Sequence, residues 1–109
     1  MNDPTRKPGY NQAATTGDWP LLEREARIVN ARGLHARAAA QVVKLANTFD
    51  AEISVLHDGQ TVTATSIMDL LLLAAGPGSR VVIQASGPQA EEALEALTAL
   101  VTNRFGEEE

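Results

Sequence analysis

The chain of 109 residues contains no cysteine, so disulfide bonds, thiolate catalysis and cysteine-ligated metals are excluded. Aromatic residues make up only 4% of the sequence against 44% hydrophobic residues in total, so the core must be mainly aliphatic. No apolar run approaches the roughly 20 residues of a membrane span, and the N-terminus lacks the apolar segment of a secretory signal. We therefore expect a cytoplasmic protein without membrane insertion.

The chain also lacks an excess of basic residues. Its formal net charge is −5 and its pI is near 4.9, which argues against binding to nucleic acid or to an anionic membrane surface. With two histidines and no cysteine, a metal site is not expected. No motif indicates a cofactor either.

The length is that of one domain with flanking segments. Residues 1–21 are rich in Pro, Gly, Asn and Thr without a period of 2 or 3.6, which predicts a flexible N-terminal extension. Residues 22–106 carry the periodic segments and form the predicted domain. Residues 107–109 are all Glu, and we expect them to be a frayed acidic tail.

Hydrophobic periodicity predicts the order β-α-β-β-α-β-α, an α+β fold with a four-stranded antiparallel sheet covered on one face by helices. Asp58-Gly59 is a strong hairpin signal between the second and third strands. The predicted strands are 23–30, 51–56, 60–64 and 80–85, and the predicted helices are 36–49, 67–74 and a last one that opens at Gly87-Pro88.

The first predicted helix begins at the candidate chemical site. His35 and Arg37 lie at its start, after a turn for which Gly33 supplies a flexible backbone. A neutral imidazole has a lone pair available near neutral pH. An anion carried on His35 would meet both the free amides of the helix start and the guanidinium of Arg37.

The second predicted helix carries a different set of candidates. Ser66 precedes Asp69 by three residues, the spacing of a helix-capping serine. The helix is apolar on more sides than one buried face requires, so Ile67, Met68 and Leu71 are predicted to form a partner-docking patch. Lys44, on the solvent side of the first helix, is predicted to steer acidic partners.

The sequence Gly33-Leu34-His35-Ala36-Arg37, joined to Ser66-Ile67-Met68 and to this element order, resembles HPr, the histidine-containing phosphocarrier of the phosphoenolpyruvate-dependent phosphotransferase system (HPr/NPr family). The likeness covers roughly residues 23–105. It implies an open-faced β-sandwich of four antiparallel strands under three helices.

The resemblance also implies a phosphoryl relay protein rather than an independent enzyme. His35 would accept a phosphoryl group on Nδ1 from enzyme I, beside Arg37, and pass it to an enzyme IIA domain. The acceptor would belong to sugar uptake or to the nitrogen-related regulatory branch. Ser66 matches a serine that an HPr kinase/phosphorylase phosphorylates in some bacteria. We expect a monomer.

Three positions depart from the family pattern. Ala38 replaces the proline that usually follows the arginine, which keeps the helix turn but gives up the fixed φ. Arg32 stands where many members carry Asn, and Asp69 where one branch carries Lys. The last two changes alter the charge presented to partners.

Two other functions compete with the relay. One is a non-catalytic regulatory binding module that acts through the His35/Ser66 surface, with His35 as a structural helix cap. The other is a small hydrolase of phosphate esters, which the sequence disfavours because it offers no second acid/base or metal set.

Overall fold

The structure, a computed structural model, describes residues 19–109. Its elements follow the predicted order β-α-β-β-α-β-α, with a short 3-10 turn added at the end. They are β1 (Leu22–Arg27), α1 (Ala36–Ala46), β2 (Glu52–His57), β3 (Gln60–Thr63), α2 (Ile67–Leu72), β4 (Arg80–Ser86), α3 (Ala90–Thr102) and the turn Arg104–Gly106.

The four strands form one sheet in the order β1-β4-β2-β3, and every neighbouring pair is antiparallel. The hairpin between β2 and β3 turns at Asp58 and Gly59, whose φ angles are 51° and 82°. Two positive φ values at the centre of a two-residue loop match the right-handed twist of the flanking strands. The predicted four-stranded antiparallel sheet with three helices is thus confirmed.

The core lies between the sheet and the helices and is almost entirely aliphatic, as the composition predicted. In β4, the alternate residues Val81, Ile83 and Ala85 face this core and are buried, while the residues between them are half-buried. α1 buries one stripe of small and branched side chains: Ala38, Ala39, Val42 and Ala46. Phe105, in the closing turn, is the aromatic side chain of this core and is 1% exposed.

The predicted boundaries are wrong by two or three residues at several ends. α1 stops at Ala46 rather than Phe49, because the amides of Thr48 and Phe49 donate to carbonyls three residues back and tighten the chain into a turn. α2 stops at Leu72 rather than Ala74, because Ala74 adopts a left-handed φ of 53°. β1 ends at Arg27, where the turn before the candidate site begins.

Most of the predicted N-terminal extension lies outside the described residues. Of its described part, Trp19 is 45% and Leu21 is 51% exposed. The carbonyl of Trp19 accepts a hydrogen bond from Ser86 Oγ at 3.3 Å. Among residues 19–109 there is no helix with the length and apolarity to cross a membrane.

Candidate functional site

A tight turn after β1 sets the position of the candidate histidine. The amide of Gly33 donates to the carbonyl of Asn30 at 3.2 Å, and Gly33 has a φ of 68°. The next amide, of Leu34, donates to the carbonyl of Ala75 at 2.9 Å. A Cβ on Gly33 would lie 2.8 Å from that same carbonyl oxygen. Only glycine therefore fits this turn without displacing the loop that carries Ala75.

His35 immediately precedes α1, and its backbone is extended. Its carbonyl accepts from the amide of Ala39 at 2.8 Å, the first hydrogen bond of the helix. The imidazole makes no capping hydrogen bond and its side chain is 22% exposed. The ring is therefore reachable from solvent and does not act as the helix cap that the binding-module hypothesis assumed.

The start of α1 offers free backbone donors beside this ring. The amides of residues 36–38 have no partner within the helix, since the first helical bond comes from Ala39. Ala38 keeps an N–H that the proline of the family pattern would lack. The first turn of α1 therefore has one more backbone N–H than the family pattern gives.

Two arginines flank the site. Arg32 and Arg37 are exposed, and both line a shallow surface depression together with Ala31 and residues 107–109. Sequence reasoning predicted Arg37 at this place but assigned no role to the acidic residues opposite. The depression thus brings guanidinium groups and Glu side chains together next to the start of α1.

Residues 107–109, which the sequence predicts to be a frayed tail, include two residues that are hydrogen-bonded to the turn before α1. Glu107 Oε2 is hydrogen-bonded to His35 Nε2, and Glu107 Oε1 accepts from Asn30 Nδ2 at 2.9 Å. The carbonyl of Glu109 accepts from the amide of Ala31. The prediction of a frayed tail rested on the charge run alone, and the structure adds these contacts of Glu107 and Glu109 to it.

Asn30 and Glu107 are therefore site residues that sequence reasoning missed. Asn30 is fully buried, and its Nδ2 donates to the carbonyl of Gly33 as well as to Glu107, at 2.9 Å in both cases. A signal existed in the sequence, since an Asn three residues before a Gly at the end of a strand is typical of a side-chain-stabilised turn. Nothing local in the sequence indicated Glu107.

In its contact with His35, the Glu107 side chain is an ionised carboxylate. The hydrogen bond from Asn30 is the main cause that lowers the pKa of Glu107 below its ordinary value of 4.5, followed by the hydrogen bond with His35. Partial desolvation opposes this shift, while the charges of His35 and Arg32 add to it. Glu107 is therefore negatively charged at neutral pH and faces His35 as a hydrogen-bond acceptor.

The second candidate group lies at the start of α2. Ser66 Oγ accepts from the amide of Asp69 at 3.2 Å, which confirms its capping role. Ile67 is 40% and Met68 is 69% exposed, whereas Leu71 is half-buried against the core. Leu72, which was not predicted, is 68% exposed. The exposed apolar surface of α2 thus consists of Ile67, Met68 and Leu72.

Lys44 is exposed in the last turn of α1. Its distance from His35 follows from helix geometry, since eight residues beyond Ala36 correspond to about 12 Å along the axis. Lys44 therefore lies at the far end of α1 from the imidazole.

Comparison with known proteins places this architecture in a family. A family model described as the phosphotransferase system (PTS) HPr component phosphorylation site matches residues 22–103. The chain is 46% identical over 89 residues to the phosphocarrier protein HPr of Cupriavidus necator, covering 82% of this chain and 100% of that protein. It is 42% identical over 86 residues to the phosphocarrier protein NPr of Shewanella violacea, covering 79% of this chain and 94% of that protein.

A solved structure agrees with these sequence relatives. The crystal structure of HPr from Thermoanaerobacter tengcongensis superposes with a TM-score of 0.77 at 41% identity, covering 81% of this chain and 99% of that chain. The open-faced sandwich, with its histidine at the start of the first helix, is thus the architecture of a small phosphocarrier. The chain belongs to the HPr/NPr family of the phosphotransferase system.

Proposed function

We propose that this protein accepts a phosphoryl group on His35 from enzyme I and passes it to an enzyme IIA domain. The observation that carries the proposal is a reachable imidazole, 22% exposed, beside free helix amides and Arg37 in a chain of the HPr/NPr family. Because the family acts in a phosphorelay, a donor and an acceptor protein are its natural partners.

The chemistry begins with the neutral imidazole. A neutral imidazole has one ring nitrogen with a free lone pair, so no separate base is required for attack on phosphorus. The incoming phosphoryl group brings up to about two negative charges. The free amides at residues 36–38 and the guanidinium of Arg37 are the groups placed to meet that charge.

The site is suited to holding the group briefly. Each amide or guanidinium contact contributes on the order of 1–3 kcal/mol at a partly exposed position. Solvent reaches the ring, and the depression beside it is shallow and open. Modest stabilisation of the phosphorylated form favours onward transfer, which a relay requires.

Partner recognition is assigned to the exposed apolar surface of α2. Ile67 and Met68 are exposed there, and Leu71 of the same helix is half-buried against the core. Clustered apolar side chains on the surface of a small protein mark interaction sites. Ser66 caps the same helix, so a phosphate on its hydroxyl would place about two negative charges within this surface. An HPr kinase/phosphorylase is the partner proposed for that regulatory modification.

The experiment for this proposal is intact-mass measurement after incubation with phosphoenolpyruvate, magnesium and enzyme I. One added phosphate that is labile in acid is expected for the wild-type protein. His57→Ala is the matched control, because His57 is the other histidine and its Nδ1 contacts the carbonyl of Arg80 at 3.2 Å, away from the site. His57→Ala should gain the phosphate and His35→Ala should not. Phosphate on His35→Ala would contradict the proposal.

The same assay distinguishes the two branches of the system. Enzyme I of the sugar-transport branch and its nitrogen-related counterpart are supplied separately, each with phosphoenolpyruvate. The donor that phosphorylates His35 faster identifies the branch, and the enzyme IIA domains of that branch are then tested as acceptors. Failure of both donors would contradict the relay.

A further inference from the structure

A chain of hydrogen bonds runs from the buried side chain of Asn30 through Glu107 to the ring of His35. Asn30 Nδ2 donates to Glu107 Oε1, and Glu107 Oε2 is bonded to His35 Nε2. The side chains of His35 and Glu107 are 22% and 15% exposed, so both are partly covered by the protein. The relay proposed above makes no use of either Asn30 or Glu107.

The chemistry of the contact decides which ring nitrogen of His35 carries the proton. An ionised carboxylate can only accept hydrogen bonds, so its neutral imidazole partner must present N–H at Nε2. The lone pair of the neutral ring is then on Nδ1, which makes no capping hydrogen bond to α1. We propose that Glu107 is a positioning residue that holds the proton of His35 on Nε2 and so presents Nδ1 to the phosphoryl donor. This inference rests on the proposed function.

Asn30 makes the position of Glu107 specific. Both protons of its amide are used, one for the carbonyl of Gly33 and one for Glu107. Reversing the amide would bring its oxygen against two acceptors, so the orientation is fixed. Because Asn30 is fully buried, its side chain is a rigid support for the carboxylate. The turn from Asn30 to Gly33 therefore positions both the backbone of His35 and, through the Asn30 side chain, the Glu107 carboxylate that contacts the His35 ring.

The segment that delivers Glu107 is held in an unusual backbone conformation. Arg104 and Phe105 have φ angles of 59° and 53°, values that non-glycine residues rarely adopt. Phe105 is 1% exposed, and its carbonyl accepts from Gln41 Nε2 at 2.8 Å. Such a conformation persists only where surrounding contacts enforce it. The core contact of Phe105 and the bond from Gln41 therefore turn the chain back so that Glu107 reaches His35.

The transfer step balances without loss of a proton from the ring. The Nδ1 lone pair forms a bond to phosphorus, while the bond from phosphorus to the phosphorylated atom of enzyme I breaks and its electron pair returns to that atom. His35 keeps its proton on Nε2 and the ring becomes cationic. The carboxylate of Glu107 faces this new positive charge. In onward transfer a nucleophilic atom of the acceptor protein attacks phosphorus, the bond to Nδ1 breaks, and its electron pair returns to Nδ1.

The test uses the unphosphorylated protein first, so that it does not depend on the relay. Nitrogen-15 chemical shifts of the His35 ring are recorded at a pH where neutral imidazole predominates. The wild-type ring is expected to show the Nε2–H form alone. Glu107→Ala should show a mixture of both tautomers. Glu107→Asp, which withdraws the carboxylate by one methylene group, should show a smaller change in the same direction.

Glu108→Ala is the matched control, because Glu108 is the adjacent exposed carboxylate of the same depression. It should keep the wild-type tautomer. The rate of phosphoryl acceptance should fall roughly tenfold in Glu107→Ala, the lower end of the loss seen when the carboxylate partner of a metal-bound histidine is removed, and stay within about twofold in Glu108→Ala.

Three results would overturn the assignment of Glu107. The first is an unchanged tautomer of His35 in Glu107→Ala. The second is an altered tautomer in this variant with an unchanged rate of phosphoryl transfer. The third is faster transfer in this variant, which would mean that Glu107 hinders access to His35. If the wild-type protein accepts no phosphate, the proposed function fails, while the tautomer comparison still decides what Glu107 does to the ring.

Discussion

Gly33→Ala is the substitution whose effect follows most directly from the geometry of the site. The residue has a φ of 68°, and an alanine in the left-handed region costs about 1–2 kcal/mol. The added Cβ would also lie 2.8 Å from the carbonyl oxygen of Ala75 and 2.9 Å from the Cα of Gly76. Both neighbours are backbone atoms, so relief requires a shift of the loop, at a further cost of about 1–3 kcal/mol. We expect a total loss of about 2–5 kcal/mol in the free energy of unfolding.

The control for this prediction is Gly78→Ala. Gly78 has a φ of 86°, but nothing lies within 4 Å of an added Cβ, so only the conformational part of the cost applies. Urea unfolding should therefore show a loss of about 1–2 kcal/mol for Gly78→Ala and a clearly larger loss for Gly33→Ala. Equal losses would refute the steric argument. In Gly33→Ala the displaced turn should also lower the rate at which His35 accepts phosphate.

Four further changes at the site and at α2 test the same contacts. Arg37→Ala should fold normally and accept phosphate much more slowly than wild type in a rapid-mixing assay. Arg37→Lys should be intermediate, because a single ammonium charge replaces the planar guanidinium with its several N–H donors. Equal rates in wild type and Arg37→Ala would show that Arg37 has no role in the transfer. Met68→Asp should lose affinity for enzyme I in calorimetry without loss of stability, because Met68 is 69% exposed; unchanged binding would move the docking surface elsewhere. Ser66→Ala should lower the free energy of unfolding by about 1 kcal/mol in urea, because the helix loses its cap. Ser66→Asp should accept phosphate from enzyme I more slowly than wild type. Unchanged stability and an unchanged rate would contradict the capping role and the regulatory role of Ser66. Because the folded-state pKa of Glu107 is lowered, its hydrogen bonds should stabilise the folded protein above pH 4.5, and this stabilisation should be lost as the pH falls through the lowered pKa. Nuclear magnetic resonance titration should show that the pKa of the Glu107 carboxyl rises in Asn30→Ala. An identical titration in the variant would contradict Asn30 as the main cause of the lowered pKa.

Local patterns were sufficient to predict most of the fold. The alternation in β4, the Asp58-Gly59 hairpin and the Ser66 cap each depend on residues a few positions apart, so the sequence displays them directly. The exposure on α2 was harder to predict, because a helix of six residues is too short to define a face by periodicity. The structure accordingly exposes Leu72 and places Leu71 against the core.

The candidate site was predictable only in part, for a similar reason. His35 and Arg37 share a short motif, and their place at the start of α1 follows from it. Glu107 lies 77 positions from Asn30 and reaches it through a backbone turn at Arg104 and Phe105. Neither residue is a glycine, so local preference does not predict their left-handed backbone, and only Gly106 after them, with a φ of 81°, is a residue that favours it. Tertiary contacts, above all the burial of Phe105, determine where the acidic segment lies.

The measurement that tests the relay most directly follows a labelled phosphoryl group through both transfers. The protein is phosphorylated with radiolabelled phosphoenolpyruvate and enzyme I, separated from them, and mixed with enzyme IIA domains of the sugar and nitrogen branches. We expect the label to be on His35 after the first step, to leave for an enzyme IIA domain in the second, and to be absent from His35→Ala throughout. A label that stays on the protein in the presence of every acceptor, or that is carried by a residue other than His35, would contradict the account.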